Sequence, residues 1–224
     1  MVSLYFAKPD RRYALELVNA YATEVAKRVL PVFDNIGQEA DDAENQCWLD
    51  TGNDRTAFEQ GFSVYSDLIF VREQVTGLAV AGLYQLWERL IKKFIVNEYL
   101  SDKPTMQDFL PTNDKVLKAD FSKLEKFLKS VGWSIKKEEF YPDLDRLRLV
   151  ANVVKHGDGP ACKVLLQRAP DMFFDFGHSW PNEKRGASHL LLKREDFPKF
   201  ADAARRFFER FPERLPPLHP PSCG

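Results

Sequence analysis

The sequence is short of the features that mark most cofactor enzymes and membrane proteins. Its three cysteines, Cys47, Cys162 and Cys223, stand far apart and form no CxxC pair. Neither a disulfide framework nor a structural zinc site is expected from them. No apolar run approaches the ~18 residues that suggest a bilayer-spanning helix. The opening MVSLYFAKPDRR has no basic start, long apolar core or cleavage site, so a cytoplasmic protein without membrane contact is expected. A Walker A loop, GxGxxG, HExxH and GxSxG are all missing, and no cofactor is expected. Charge of one sign is missing too: 32 basic residues face 33 acidic ones, for a net charge of −1. The whole-molecule field therefore offers little general attraction to a polyanion, and any such binding has to be local.

What remains is a heavy aromatic load. Eighteen Phe and four Trp in 224 residues, with 44% hydrophobic residues overall, can fill a sizeable core. Apolar residues recur at helical spacing along most of the chain. Leu17, Tyr21, Val25 and Val29 predict a helix over residues 10–30 that ends near Pro31. Residues 55–100 predict a long helical stretch with a break near Thr76-Gly77. In its second half Leu83, Leu86, Trp87, Leu90, Ile91, Phe94 and Ile95 share one face, and Lys92 and Lys93 lie on the other. Pro104–Pro111 reads as a connector. Phe121, Leu124, Leu128 and Val131 predict a short helix stopped by Gly132. Pro142 suits the first turn of a helix running to His156, and a further short helix covers Ala161–Gln167. Phe197, Phe200, Ala204, Phe207, Phe208 and Phe211 stack on one side of a last helix that Pro212 ends. The fold class expected is all-α, a single helical bundle domain over 1–212, with a brief extended segment near 189–193 and a Pro-rich tail over 213–224.

Between Asp34 and Asp54 there are seven acidic residues and no basic one. This stretch is expected to be a solvated loop with Trp48 and Leu49 tucked onto the core; a carboxylate cation site is the alternative. His178 and His189 are too far apart on an apparent loop to be read as metal ligands.

One stretch, RLRLVANVVKHGDGP, carries more than core. At about 100° per residue, Leu144, Leu147, Val150, Ala151 and Val154 fall in one sector, while Asp145, Arg148, Asn152, Lys155 and His156 fall in a neighbouring one. Arg148, Asn152 and His156 recur every fourth residue, within reach of one another turn by turn. Lys155 and His156 stand at the helix C-terminus, where the dipole favours positive charge. Residues 146–168 hold five basic residues against one acidic, so Arg146, Lys155 and Lys163 are candidates for nucleic-acid contact. An ordinary structural explanation stands beside this one: Arg148 pairs with Asp145, Asn152 bonds a loop carbonyl and His156 caps the helix end.

At these residues the chain resembles the HEPN superfamily, helical domains found in bacterial toxin–antitoxin and antiviral systems. Their usual motif is an Arg, frequently followed by Asn, then four to six residues and a His. In ANVVKH, Asn152 matches the polar residue and His156 the histidine, while Ala151 occupies the place of the arginine. Arg148 lies one turn earlier, outside the usual spacing. The resemblance covers residues 144–160 and rests on helix order elsewhere. It implies a homodimer, with RNA and an antitoxin-like or other protein as partners, and metal-independent RNA cleavage by His156, Arg148 and Asn152. In such chemistry a histidine exchanges protons with the ribose 2′-OH and the leaving oxygen, and an arginine neutralises charge on the phosphoryl group. The alternatives are a catalytically inactive module that binds RNA, a nucleotide or a protein, and a structural adaptor whose exposed Phe207/Phe208 patch pairs with another chain.

Overall fold

Apolar spacing does its expected work over most of the chain. The computed structural model describes residues 8–100, 116, 118–174 and 185–213, with the side chains of 8, 9 and 97–100 left aside. The connector Pro104–Pro111, His178, Cys223 and the tail from residue 214 lie outside the described residues. Among the described residues run α1 (Lys8–Glu24), α2 (Ile36–Thr51), α3 (Asp54–Leu100), α4 (Phe121–Ser130), α5 (Tyr141–His156), α6 (Pro160–Arg168) and α7 (Asp196–Arg210). A π-turn over Val25–Val29 and a 3₁₀ turn over Leu30–Phe33 carry α1 past Pro31. The expected all-α helical bundle is what the chain adopts. Of the extended segment expected near 189–193 there is one isolated antiparallel bridge, Phe173 to Leu190. No described helix is long and apolar enough to cross a membrane.

Two compact units divide the chain. Met1–Tyr21, Leu83–Arg148 and Lys199–Gly224 form the first, and Ala22–Gly82 with Leu149–Pro198 the second. In the first, an aromatic cluster makes the core. Phe207 meets Trp87 edge-on at 5.0 Å between ring centroids, Trp133 at 5.1 Å and Phe208 at 5.2 Å. Phe211 lies 4.8 Å from Trp133 and 5.2 Å from Phe94. Such edge-to-face pairs add to the burial of large rings. Phe207 and Phe208 are fully buried, which removes the motive for an adaptor built on an exposed Phe patch. α4 starts on Asp120, whose carboxylate accepts the Lys123 N–H at 2.9 Å, a standard N-cap. Lys92, expected to face away from the core, is buried and pairs with Glu88 at 3.1 Å. Its long stem packs with the apolar face while its ammonium finds a carboxylate one turn back.

In the second unit the acidic stretch is helix rather than loop. Ile36, Ala40 and Cys47 recur at helical spacing, with Ile36 and Ala40 buried. The facing helix approaches so closely at Gly61 that an added Cβ would lie 2.9 Å from the Glu44 Cβ. Trp48 and Leu49 are exposed rather than tucked away, because the buried stripe uses the small residues instead. The expected break at Thr76-Gly77 does not occur. Thr76 Oγ1 donates back to the Arg72 carbonyl within the helix, and an added Cβ at Gly77 would stand 3.2 Å from Val154. That glycine admits α5 instead of ending α3.

Replacing Phe207 by Ala would empty the centre of the aromatic cluster. A loss of about 3–5 kcal/mol in unfolding free energy is expected, the range for a buried aromatic reduced to Ala. Chemical denaturation reads it, and a loss below ~1 kcal/mol would contradict this packing.

Candidate functional site

The polar row of α5 is divided between the two units, and each part has its own chemistry. Arg148 ends the first unit's share. Its Nε and Nη2 both donate to Asp145 Oδ1, at 2.8 and 2.6 Å. The guanidinium carbon sits 5.1 Å from the centroid of the Phe121 ring, within range for a cation–π contact. Asp145, expected on an open face, is buried; two charge-assisted bonds from Arg148 offset the cost of taking its carboxylate out of water. Arg146 turns the other way and pairs with Asp143 at 3.6 Å, both half-exposed.

Two tyrosines flank this pair. Tyr141 donates its hydroxyl to Glu125 at 2.6 Å, and Lys136 pairs with the other oxygen of Glu125 at 3.3 Å. Burial raises the Tyr141 pKa, and the hydrogen bond to Glu125 and the nearby carboxylates raise it further. Tyr84 is also raised, mainly by burial and then by Glu88, while Arg148 opposes the shift.

The second unit holds Asn152, Lys155, His156 and the loop that follows. Ala151 is fully buried. So is Val150, and Leu149 and Val153 are buried nearly as deeply, which leaves only a narrow open arc. Asn152 is half-buried on that arc; Lys155 and His156 are exposed. Neither Asn152 nor His156 hydrogen-bonds through its side chain to a described residue, so neither the carbonyl contact nor the capping role applies among them. The helix ends in Gly157, whose N–H bonds the Val153 carbonyl at 2.8 Å with φ at 64°. That left-handed conformation suits glycine and ends the helix there.

Asp158 then ties the loop down. Its Oδ1 accepts the Ala187 N–H at 2.6 Å. The buried Cys162 thiol lies 3.9 Å from the same oxygen, and burial followed by this carboxylate pushes the thiol pKa up. Cys162 is thus held as a thiol rather than as a reactive thiolate. Lys163 is exposed on α6. His189 accepts the Gly186 N–H on Nδ1 at 3.1 Å. No group of three or more His, Cys, Asp or Glu among the described residues is placed to hold a metal ion.

Sequence spacing therefore places the polar residues on their turns, but not their partners. The Asp145–Arg148 pair is legible as an i,i+3 neighbour. The Phe121 ring beneath Arg148 and the Asp158–Ala187 bond join distant stretches and leave no local signal. No family model, curated protein or solved structure matches the chain.

The tyrosine environment has a consequence at high pH. A raised folded-state pKa means that the neutral phenol is favoured on folding. That stability is complete below the ordinary value of 10.0 and is lost as pH climbs from there towards the folded-state value. Melting temperature should fall steeply above this point, and Tyr84→Phe should make the decline shallower. An unchanged alkaline slope in the variant would contradict the buried phenol.

Proposed function

We propose that the chain is a HEPN-like helical protein with an RNA-related role, acting as a binding module through the C-terminal end of α5. One observation carries the reading: Asn152, Lys155 and His156 lie on a narrow solvent-facing arc, while Ala151 is buried. A phosphate backbone suits this surface. An imidazole, a carboxamide and an ammonium all donate hydrogen bonds, and two of the three can carry positive charge. Lys163 on α6 is exposed as well, and no acidic residue but Asp158 lies between 146 and 168. Asp158 has its Oδ1 committed to Ala187.

Arg148 favours binding over cleavage. Its Nε and Nη2 are held by Asp145, whose carboxylate offsets the positive charge that a transition state would draw on. A second reading, the metal-independent ribonuclease, draws support from His156, which is exposed and whose imidazole makes no hydrogen bond to a described residue. In that reading His156 takes the 2′-OH proton as the 2′-oxygen bonds to phosphorus. A proton returns from the imidazolium to the 5′-oxygen as its bond to phosphorus breaks, and Asn152 orients the phosphate. Arg148 leaves Asp145 to stabilise the developing charge.

Fluorescence anisotropy with a single-stranded RNA, in EDTA and between 50 and 200 mM salt, separates the two. Salt-weakened binding is expected, with a slope of about −0.7 per phosphate contacted. The double variant Lys155→Glu/Lys163→Glu should bind at least about tenfold more weakly, through charge reversal at two contacts. The RNA should stay intact. Cleavage lost in His156→Ala would establish the ribonuclease reading instead, and neither binding nor cleavage would remove both.

A further inference from the structure

The N-terminal part of α3 presents aromatic rings to water. Phe58, Phe62 and Tyr65 are 61%, 62% and 46% exposed, and Phe58 and Phe62 stack at 6.3 Å. At about 100° per residue these three share a sector of roughly 60° with Thr76 and Val80 further along the helix. Thr76 and Val80 are buried. One apolar row thus runs from a covered stretch into an uncovered one, with larger rings where it is uncovered. Trp48 on α2 is half-exposed beside it, its indole N–H held by Asp54 at 2.8 Å.

Charge and area narrow the occupant. Between residues 36 and 67 there are eight acidic residues and one basic, Arg55, and Arg55 pairs with Glu59 at 3.0 Å. Two copies of so acidic a hairpin would repel each other, and RNA and anionic lipid would be repelled too. A ring exposes at most ~150–250 Å², so the four half-uncovered rings offer roughly 300–550 Å². That is below the ~800 Å² per partner of a stable dimer, but it is the size of patch that often marks a functional site. The length fits one short helix: Phe58 to Tyr65 spans about 10 Å of axis at ~1.5 Å per residue.

We propose that the α2–α3 hairpin docks a cationic amphipathic helix of a protein partner. Apolar anchors at i, i+3 or i+4, and i+7 lie on Phe58, Phe62 and Tyr65, and flanking Lys and Arg meet carboxylates of the acidic hairpin. The surface is separate from the RNA-contacting end of α5 and stands without it.

Calorimetry on the full chain tests this with two synthetic peptides of about fourteen residues, whose leucines follow that spacing. One carries lysine at its polar positions and the other glutamate. The leucine/lysine peptide should bind at least tenfold more tightly than its glutamate counterpart, and less tightly as salt rises. Phe58→Ser/Phe62→Ser should weaken that binding at least tenfold, with circular dichroism and melting unchanged because both rings are already exposed. Lys155→Glu should leave it as it was. Equal binding of both peptides, no binding of either, or full binding by the double variant would overturn the proposal. A concentration-dependent dimer abolished by the double variant would also overturn it, making a second copy the occupant.

Discussion

Burial of most of the circumference of α5 decides what its remaining residues can do. Leu144, Leu147, Val150 and Ala151 have no exposed surface, and Leu149 and Val153 are nearly as deep. Each large aliphatic side chain is worth about 1.5–3 kcal/mol when buried, so the helix cannot turn about its axis without losing several such terms. Position 151 therefore faces inward, and an arginine there would bring an unpaired charge into packed hydrocarbon. The same constraint holds Asn152, Lys155 and His156 on the open arc.

Within that frame the Asp145–Arg148 pair settles the electrostatics of the first unit. A buried carboxylate is costly unless a cation and hydrogen bonds meet it. Arg148 supplies both from one turn away, with Phe121 beneath it. The guanidinium is thereby a structural partner first. The exposed polar side chains of the helix stand on its last turn, where Gly157 and the Asp158–Ala187 bond shape the exit.

The parts of the fold that were legible in the sequence are those where large apolar residues recur at helical spacing. α4, α5, α6 and α7 fall close to where Leu, Val and Phe place them. The departures come from packing by small residues and from polar partners that apolar spacing does not register. α2 is obscured by its carboxylates because its buried stripe is carried by Ile36 and Ala40 with Cys47 half-buried, and Trp48 and Leu49 are left outside. Gly77 looked like a helix break but is a contact point for Val154. Lys92 looked solvated, yet Glu88 allows it to be buried. At the candidate site, spacing revealed which residues share the open arc. It could not reveal that Asp145 sinks with Arg148, nor that Asp158 reaches a residue 29 positions away.

The most direct measurement is a nitrogen-15 NMR titration of the protein with single-stranded RNA, following the His156 ring and the Arg148 Nε–H together. The account predicts that the imidazole signals move as RNA is added, while the Arg148 Nε–H signal stays where its bond to Asp145 holds it. A still imidazole, or an Arg148 signal that shifts as its bond to Asp145 opens, would contradict it.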